Sequence, residues 1–157
     1  MSSLVKETFM KRYAILNLIS TLFILLFAYT GVSKFINLDS FEKGMVEANL
    51  LRQFAPFLSI AVPVIEILTA FLLISDRYKK VGLISSFVMM FLFTLYVYYI
   101  LFFAKKIPCS CGGIISKMSW TQHLVFNIVF TILALSGILL NRLKLKETKQ
   151  QNDIVYA

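Results

Sequence analysis

The chain has two cysteines, and they stand one residue apart in Ile107-Pro108-Cys109-Ser110-Cys111-Gly112-Gly113. A thiolate is the reactive form of cysteine, and nearby cations and helix N-termini favour it. Lys105, Lys106 and Lys117 flank the pair and are candidates to stabilise a thiolate. Ser119-Trp120-Thr121-Gln122 fits a capping box, so a helix begins there and its dipole favours an anion close by. Pro108, Gly112 and Gly113 allow the tight loop that a bridge needs, because bridged cysteines hold their Cα atoms within about 7 Å. A ring that small is strained and therefore easily reduced.

The pair can do three kinds of chemistry. In thiol-disulfide exchange one cysteine attacks or is attacked and the other resolves the mixed disulfide, with His123 and the lysines favouring the thiolate. In a second reading Cys109 and Cys111 are a static staple of a loop. In a third they hold a metal with His123, but three ligands fall short of a closed zinc site, so no metal is assigned. For exchange, His123 is the third catalytic candidate, since an imidazole titrates near neutrality and can pass a proton to a thiol or to a quinone head group. With a single pair, electrons leave to a quinone or return to a second partner, and both routes stay open.

Glu66 and Asn127 are the other chemical candidates, and what singles them out is their surroundings. Of the 157 residues, 59% are hydrophobic and 15% are charged, with a mean hydropathy of +0.79. Soluble domains are about half apolar and about a quarter charged, which excludes an ordinary soluble globule. Four segments reach the roughly 20 apolar residues that cross a bilayer: 13–32, 54–75, 81–104 and 120–140. Glu66 is the one charge in the second, about twelve residues in, and an intramembrane carboxylate is either a functional group or a hydrogen-bonded packing device. In the fourth, Ser119, His123, Asn127 and Thr131 recur every four residues; in the third, Ser86, Met90, Thr94 and Tyr98 do the same. Asn17, Ser20 and Thr21 mark the first. The simplest arrangement turns all four stripes inward, with His123 just under the cysteine loop and Asn127 about 6 Å deeper at 1.5 Å per residue. A path from the cysteines through His123 and Asn127 to Glu66 follows.

The expected fold is an all-α four-transmembrane-helix bundle. Lys and Arg mark the cytoplasmic side of short loops. Lys6, Lys11, Arg12, Arg77, Lys79, Lys80, Arg142, Lys144, Lys146 and Lys149 would lie on one side, against Lys34, Lys43, Arg52, Lys105, Lys106 and Lys117 on the other. Both termini are then cytoplasmic, as tails 1–12 and 141–157 around a 13–140 membrane domain, the C-terminal tail being loose from Lys144. The net charge of +8 is an orientation signal, and no nucleic-acid partner is expected. The first span is longer than a signal-peptide core and is read as uncleaved. In the outer loop 33–53, apolar residues from Phe35 to Leu51 recur at helical spacing, which predicts an amphipathic helix on the membrane surface or capping the bundle. Trp120, Tyr96, Tyr98 and Tyr99 read as an aromatic belt.

At these residues the sequence resembles the MauE branch of the DoxX-like membrane proteins. The resemblance rests on Gly31-Val32-Ser33-Lys34-Phe35, Pro63-Val64-Ile65-Glu66-Ile67-Leu68, Tyr99, and Cys109-Ser110-Cys111-Gly112-Gly113 followed by Trp120 and Asn127. It spans roughly Tyr13 to Leu140. It implies a bacterial inner-membrane protein with its cysteine loop facing the periplasm, working in thiol redox chemistry with a thioredoxin-like partner, as in maturation of a disulfide-rich dehydrogenase subunit. The topology is also similar to that of the DsbB and vitamin K epoxide reductase type of oxidoreductase, whose separated Cys-x-x-Cys pairs this chain lacks. Two other readings remain: a non-catalytic membrane subunit or assembly factor, and a small-molecule or ion carrier centred on Glu66. The sequence sets no oligomeric state.

Overall fold

Leu, Ile, Phe and Met dominate the apolar segments, and in hydrocarbon each backbone amide must be satisfied within its own segment, so these segments form helices. The computed structural model of the chain describes residues 3–48, 52–103 and 119–155. In order these form α1 (Ser3–Ile36), α2 (Leu38–Glu47), α3 (Ala55–Ile74), α4 (Lys79–Phe103) and α5 (Trp120–Val155), with no strand among the described residues. Among the described residues, four stretches are long and apolar enough to cross a membrane: Met10–Ile36, Ala55–Ile74, Lys79–Phe103 and Trp120–Lys144.

α1 and α4 each pack against both α3 and α5, and α1 barely meets α4. The four long helices therefore form a ring in the order α1, α3, α4, α5, an up-down-up-down bundle with α1 and α4 on one diagonal. Leu16, Ile19, Phe23, Phe27, Leu73, Leu83, Met90 and Ala134 fill its centre. Phe23 stacks on Phe27 at 5.7 Å and meets Phe130 edge-on at 5.5 Å. Leu18, Leu25, Phe71 and Ile132 point outward and are more than half exposed, which suits lipid. Lipid is as apolar as leucine, so close approach and polar contacts must hold such helices together. Gly82 is one such approach: a Cβ there would lie 2.9 Å from Leu73 Cγ and 3.0 Å from its backbone nitrogen.

α2 packs on α3, with Met45 and Ala48 buried. It therefore caps one end of the bundle, the second of the two placements its amphipathic pattern allowed. At the opposite end the buried Lys79 donates to Asp76 Oδ1 at 2.6 Å and to Asn17 Oδ1 at 3.1 Å, and Lys144 lies 4.2 Å over the Tyr13 ring. Asp76 lies outside the spans, and the hydrogen bond and charge of Lys79 hold its carboxyl below the usual range.

Several boundaries differ from the sequence expectation. α1 does not stop at Val32 but continues to Ile36, so Lys34 belongs to the span rather than to the outer loop. α5 runs on as helix to Val155, where a loose tail was expected from Lys144. Leu, Lys, Glu and Gln, which fill that stretch, are strong helix formers. The polar stripes turn inward only in part, since Ser20, Ser86, Met90 and Asn127 are buried whereas Thr21 and Tyr98 are exposed. Residues four apart advance 400° around a helix of 3.6 residues per turn, so such a row drifts by about 40° at each step and leaves the core after a few turns.

Candidate functional site

The site begins at a crossing of two helices. Gly31 of α1 faces α3, and a Cβ on it would meet Ile67 Cγ1 at 2.9 Å, Pro63 O at 3.2 Å and Glu66 Cβ at 3.4 Å. Lys34 lies one turn further along α1, and helical side chains lean back towards the N-terminus, so its stem points at this crossing. There its ammonium donates to Glu66 Oε1 at 2.6 Å. Pro63 sits inside α3, three residues before Glu66, and its ring supplies no amide to the carbonyl of Ser59.

The surroundings are asymmetric. The Glu66 side chain is 1% exposed, that of Lys34 18%. The Lys34 ammonium also lies 5.5 Å over the ring of Phe41 from α2 and 5.3 Å over that of Phe93 from α4. Residues of α1, α2, α3 and α4 thus meet around one cation. Glu66 Oε2 is buried and has no hydrogen-bond partner among the described residues. Thr30, whose hydroxyl is beside the carboxylate, directs its proton instead to Leu26 O at 2.9 Å.

Asn127 is buried too, and its Nδ2 has no partner among the described residues. One turn deeper, Thr131 donates to Asn127 O at 2.7 Å and pairs with Thr94 of α4 at 3.2 Å. Thr94 follows Phe93, the residue whose ring faces Lys34, so Asn127 and the ion pair lie within about a turn of one another in depth. His123 is half-buried in the first turn of α5, its ring stacked on Trp120 at 6.1 Å. The predicted cap is present in both directions: Ser119 N donates to Gln122 Oε1 at 2.9 Å and Gln122 N to Ser119 Oγ at 3.3 Å. Tyr98 and Tyr99 pack on Phe102 and Phe103 at the same end of the bundle.

Cys109, Cys111, Lys105, Lys106 and Lys117 lie outside the described residues. By sequence they fall between the end of α4 at Phe103 and the cap of α5 at Ser119.

The family model of the methylamine utilisation protein MauE matches residues 12–140. The chain belongs to the MauE family. Neither the curated proteins nor the solved structures contain a match. The match reaches all four spans, and it includes every residue of the site in this MauE chain. The sequence pattern singled out Glu66, His123 and Asn127, which the fold sets around one end of the bundle. It missed Lys34, counted there as a loop cation. A signal existed: a lone carboxylate in one span calls for a cation, and Lys34 closes the span next to it in sequence.

Proposed function

We propose that this MauE-family protein is a membrane-embedded thiol-disulfide redox protein acting in methylamine utilisation. Cys109 and Cys111 exchange with a thioredoxin-like partner on the extracytoplasmic side. The observation that carries this reading is the Cys-x-Cys pair in the segment that leads into the reciprocally capped start of α5, where a helix dipole favours an anion. His123, one turn below the cap, supplies a proton-active group.

In the exchange, one thiolate attacks a partner disulfide. The partner's S–S bond breaks, a mixed disulfide forms and the partner's other sulfur leaves as thiolate. The second cysteine attacks the mixed disulfide, leaving Cys109 bridged to Cys111 and the partner reduced by two electrons. With a disulfide in the chain and a dithiol in the partner, the same steps run backwards. The cycle closes on a quinone couple or on a second thiol partner. In this reading the termini face the cytoplasm of a bacterial inner membrane and the cysteine segment faces the periplasm, in keeping with the excess of Lys and Arg at the other end.

Thiol trapping on acid-quenched membranes tests the reading. The pair is expected to shift between oxidised and reduced forms, and Cys109→Ser or Cys111→Ser to trap a mixed disulfide with a partner. Full function in both single variants with no trapped species would leave the pair a staple in a non-catalytic subunit.

A further inference from the structure

A buried carboxylate with one bonded and one bare oxygen is an incomplete arrangement. Glu66 Oε1 takes the Lys34 ammonium, while Oε2 is enclosed without a partner among the described residues. A charged group taken out of water is costly unless every lone pair is matched. The two partners differ in what each has besides the other. Lys34 retains two aromatic faces, Phe41 and Phe93, and some exposure, and the negative faces of the rings attract an ammonium. Glu66 has, besides Lys34, only the Thr30 hydroxyl beside it, which also donates to Leu26 O. The ligand that completes Oε2 is therefore one that removes the carboxylate's charge and leaves the cation's in place.

We propose that Glu66 is a reversible proton-binding site inside the bundle, in which proton uptake at Oε2 releases Lys34 from the ion pair onto the rings of Phe41 and Phe93, with exchange from the α2 end alone. The proton comes from water at that end, and the lysine stays an ammonium throughout. Towards the other end, among the described residues, the core carries no titratable side chain before Lys79: Phe27 and Phe23 on α1, Ala70 and Leu73 on α3, and Leu83 on α4 are buried below the pair, and the buried hydroxyls there are already bonded, Thr69 with Ser85, Ser86 to Gly82 O and Ser20 to Leu16 O. The charged and titratable neighbours are few. α1 supplies Lys34. On α2, Glu42 is half-buried and Asp39, Lys43 and Glu47 are exposed. α4 carries its lysines at the far end, with Tyr96, Tyr98 and Tyr99 outward of Phe93. α5 supplies His123, in its first turn at this end of the bundle.

Infrared difference spectra of the full chain in lipid nanodiscs test this through the carbonyl stretch of a protonated carboxyl. In the folded wild type a buried-acid band should grow reversibly on acidification, and Glu66→Gln should abolish it. In Lys34→Met the band should appear at a proton concentration lower by about tenfold or more, because the opposing charge is gone. If Glu66→Gln does not fold, carbon-13 glutamate in the wild type and in Lys34→Met assigns the band by its response to the lost cation. Absence of the band while the fold persists, its survival in Glu66→Gln, or a titration unmoved in Lys34→Met overturns the proposal. Proteoliposomes of the wild type should hold a pH gradient as long as protein-free vesicles do; a leak that Glu66→Gln removes overturns access from one end. The cysteines take no part, so a variant lacking both should keep the band even if thiol exchange fails.

Discussion

Gly31 and Pro63 touch where α1 crosses α3: a methyl group on the glycine would stand 3.2 Å from the proline carbonyl and 2.9 Å from Ile67 Cγ1. The contact exists because one residue has no side chain. Gly31→Ala improves helix propensity by about 1 kcal/mol, yet it must push the two helices apart at their ion pair. Overpacking of this kind costs about 1–3 kcal/mol. Net destabilisation is expected in denaturant titrations in mixed micelles, together with weaker Lys34–Glu66 coupling in a double-mutant cycle. A more stable Gly31→Ala would mean that the crossing has slack.

Removing one member of the buried pair should cost far more than removing both. Lys34→Met strands the enclosed carboxylate and should lose about 3–5 kcal/mol. Exchange of both residues for methionine leaves no buried charge and should restore most of that loss. The same micelle titrations check it, and equal losses in the single and double variants would show that the pair contributes nothing beyond packing.

The cap of α5 is a local contribution. Ser119→Ala removes the acceptor of the Gln122 amide and should destabilise the first turn by about 1 kcal/mol. Hydrogen exchange should quicken at Gln122 and His123, the latter bonded through its amide to Ser119 O, and stay unchanged at Thr131. Uniform quickening along α5 would mean that the cap supports the whole helix.

At the other end, Asp76 gives a pH test. Its carboxyl is held below the ordinary value of 3.8 by Lys79, so its contribution is full above that value and is lost as pH falls through the lower folded one. Wild type should therefore exceed Asp76→Asn in stability at neutral pH, and the gap should close on acidification. The gap should be small because the Asp76 side chain is 67% exposed. A gap that widens at low pH would reverse the assignment.

The spans were legible because a bilayer demands length and apolarity, properties a sequence displays openly. The cap at Ser119 was legible as well, since a capping box is a contact between residues three apart. Lys34 was not, because a span read by hydropathy ends at its first charge. Only the partner on the neighbouring helix shows that this charge points inward. Tyr98 was misplaced for a geometric reason, the drift of a four-residue row away from a straight core, and Thr21 lies about 100° around α1 from the buried Ser20, which takes the inward position. Cys109 and Cys111 stand where their chemistry is read from residue type and neighbours alone.

The ion pair also bears on how the chain is made. Lys34 stands two residues before the end of α1, where a lysine alone can reach the headgroups with its long stem. Glu66 is the twelfth residue of a twenty-residue helix and has no such escape. As synthesis proceeds, α1 can therefore settle on its own, whereas α3 meets a penalty in the bilayer until α1 stands beside it. Biogenesis thereby acquires an order, with the earlier helix acting as the counter-ion that licenses integration of the later one.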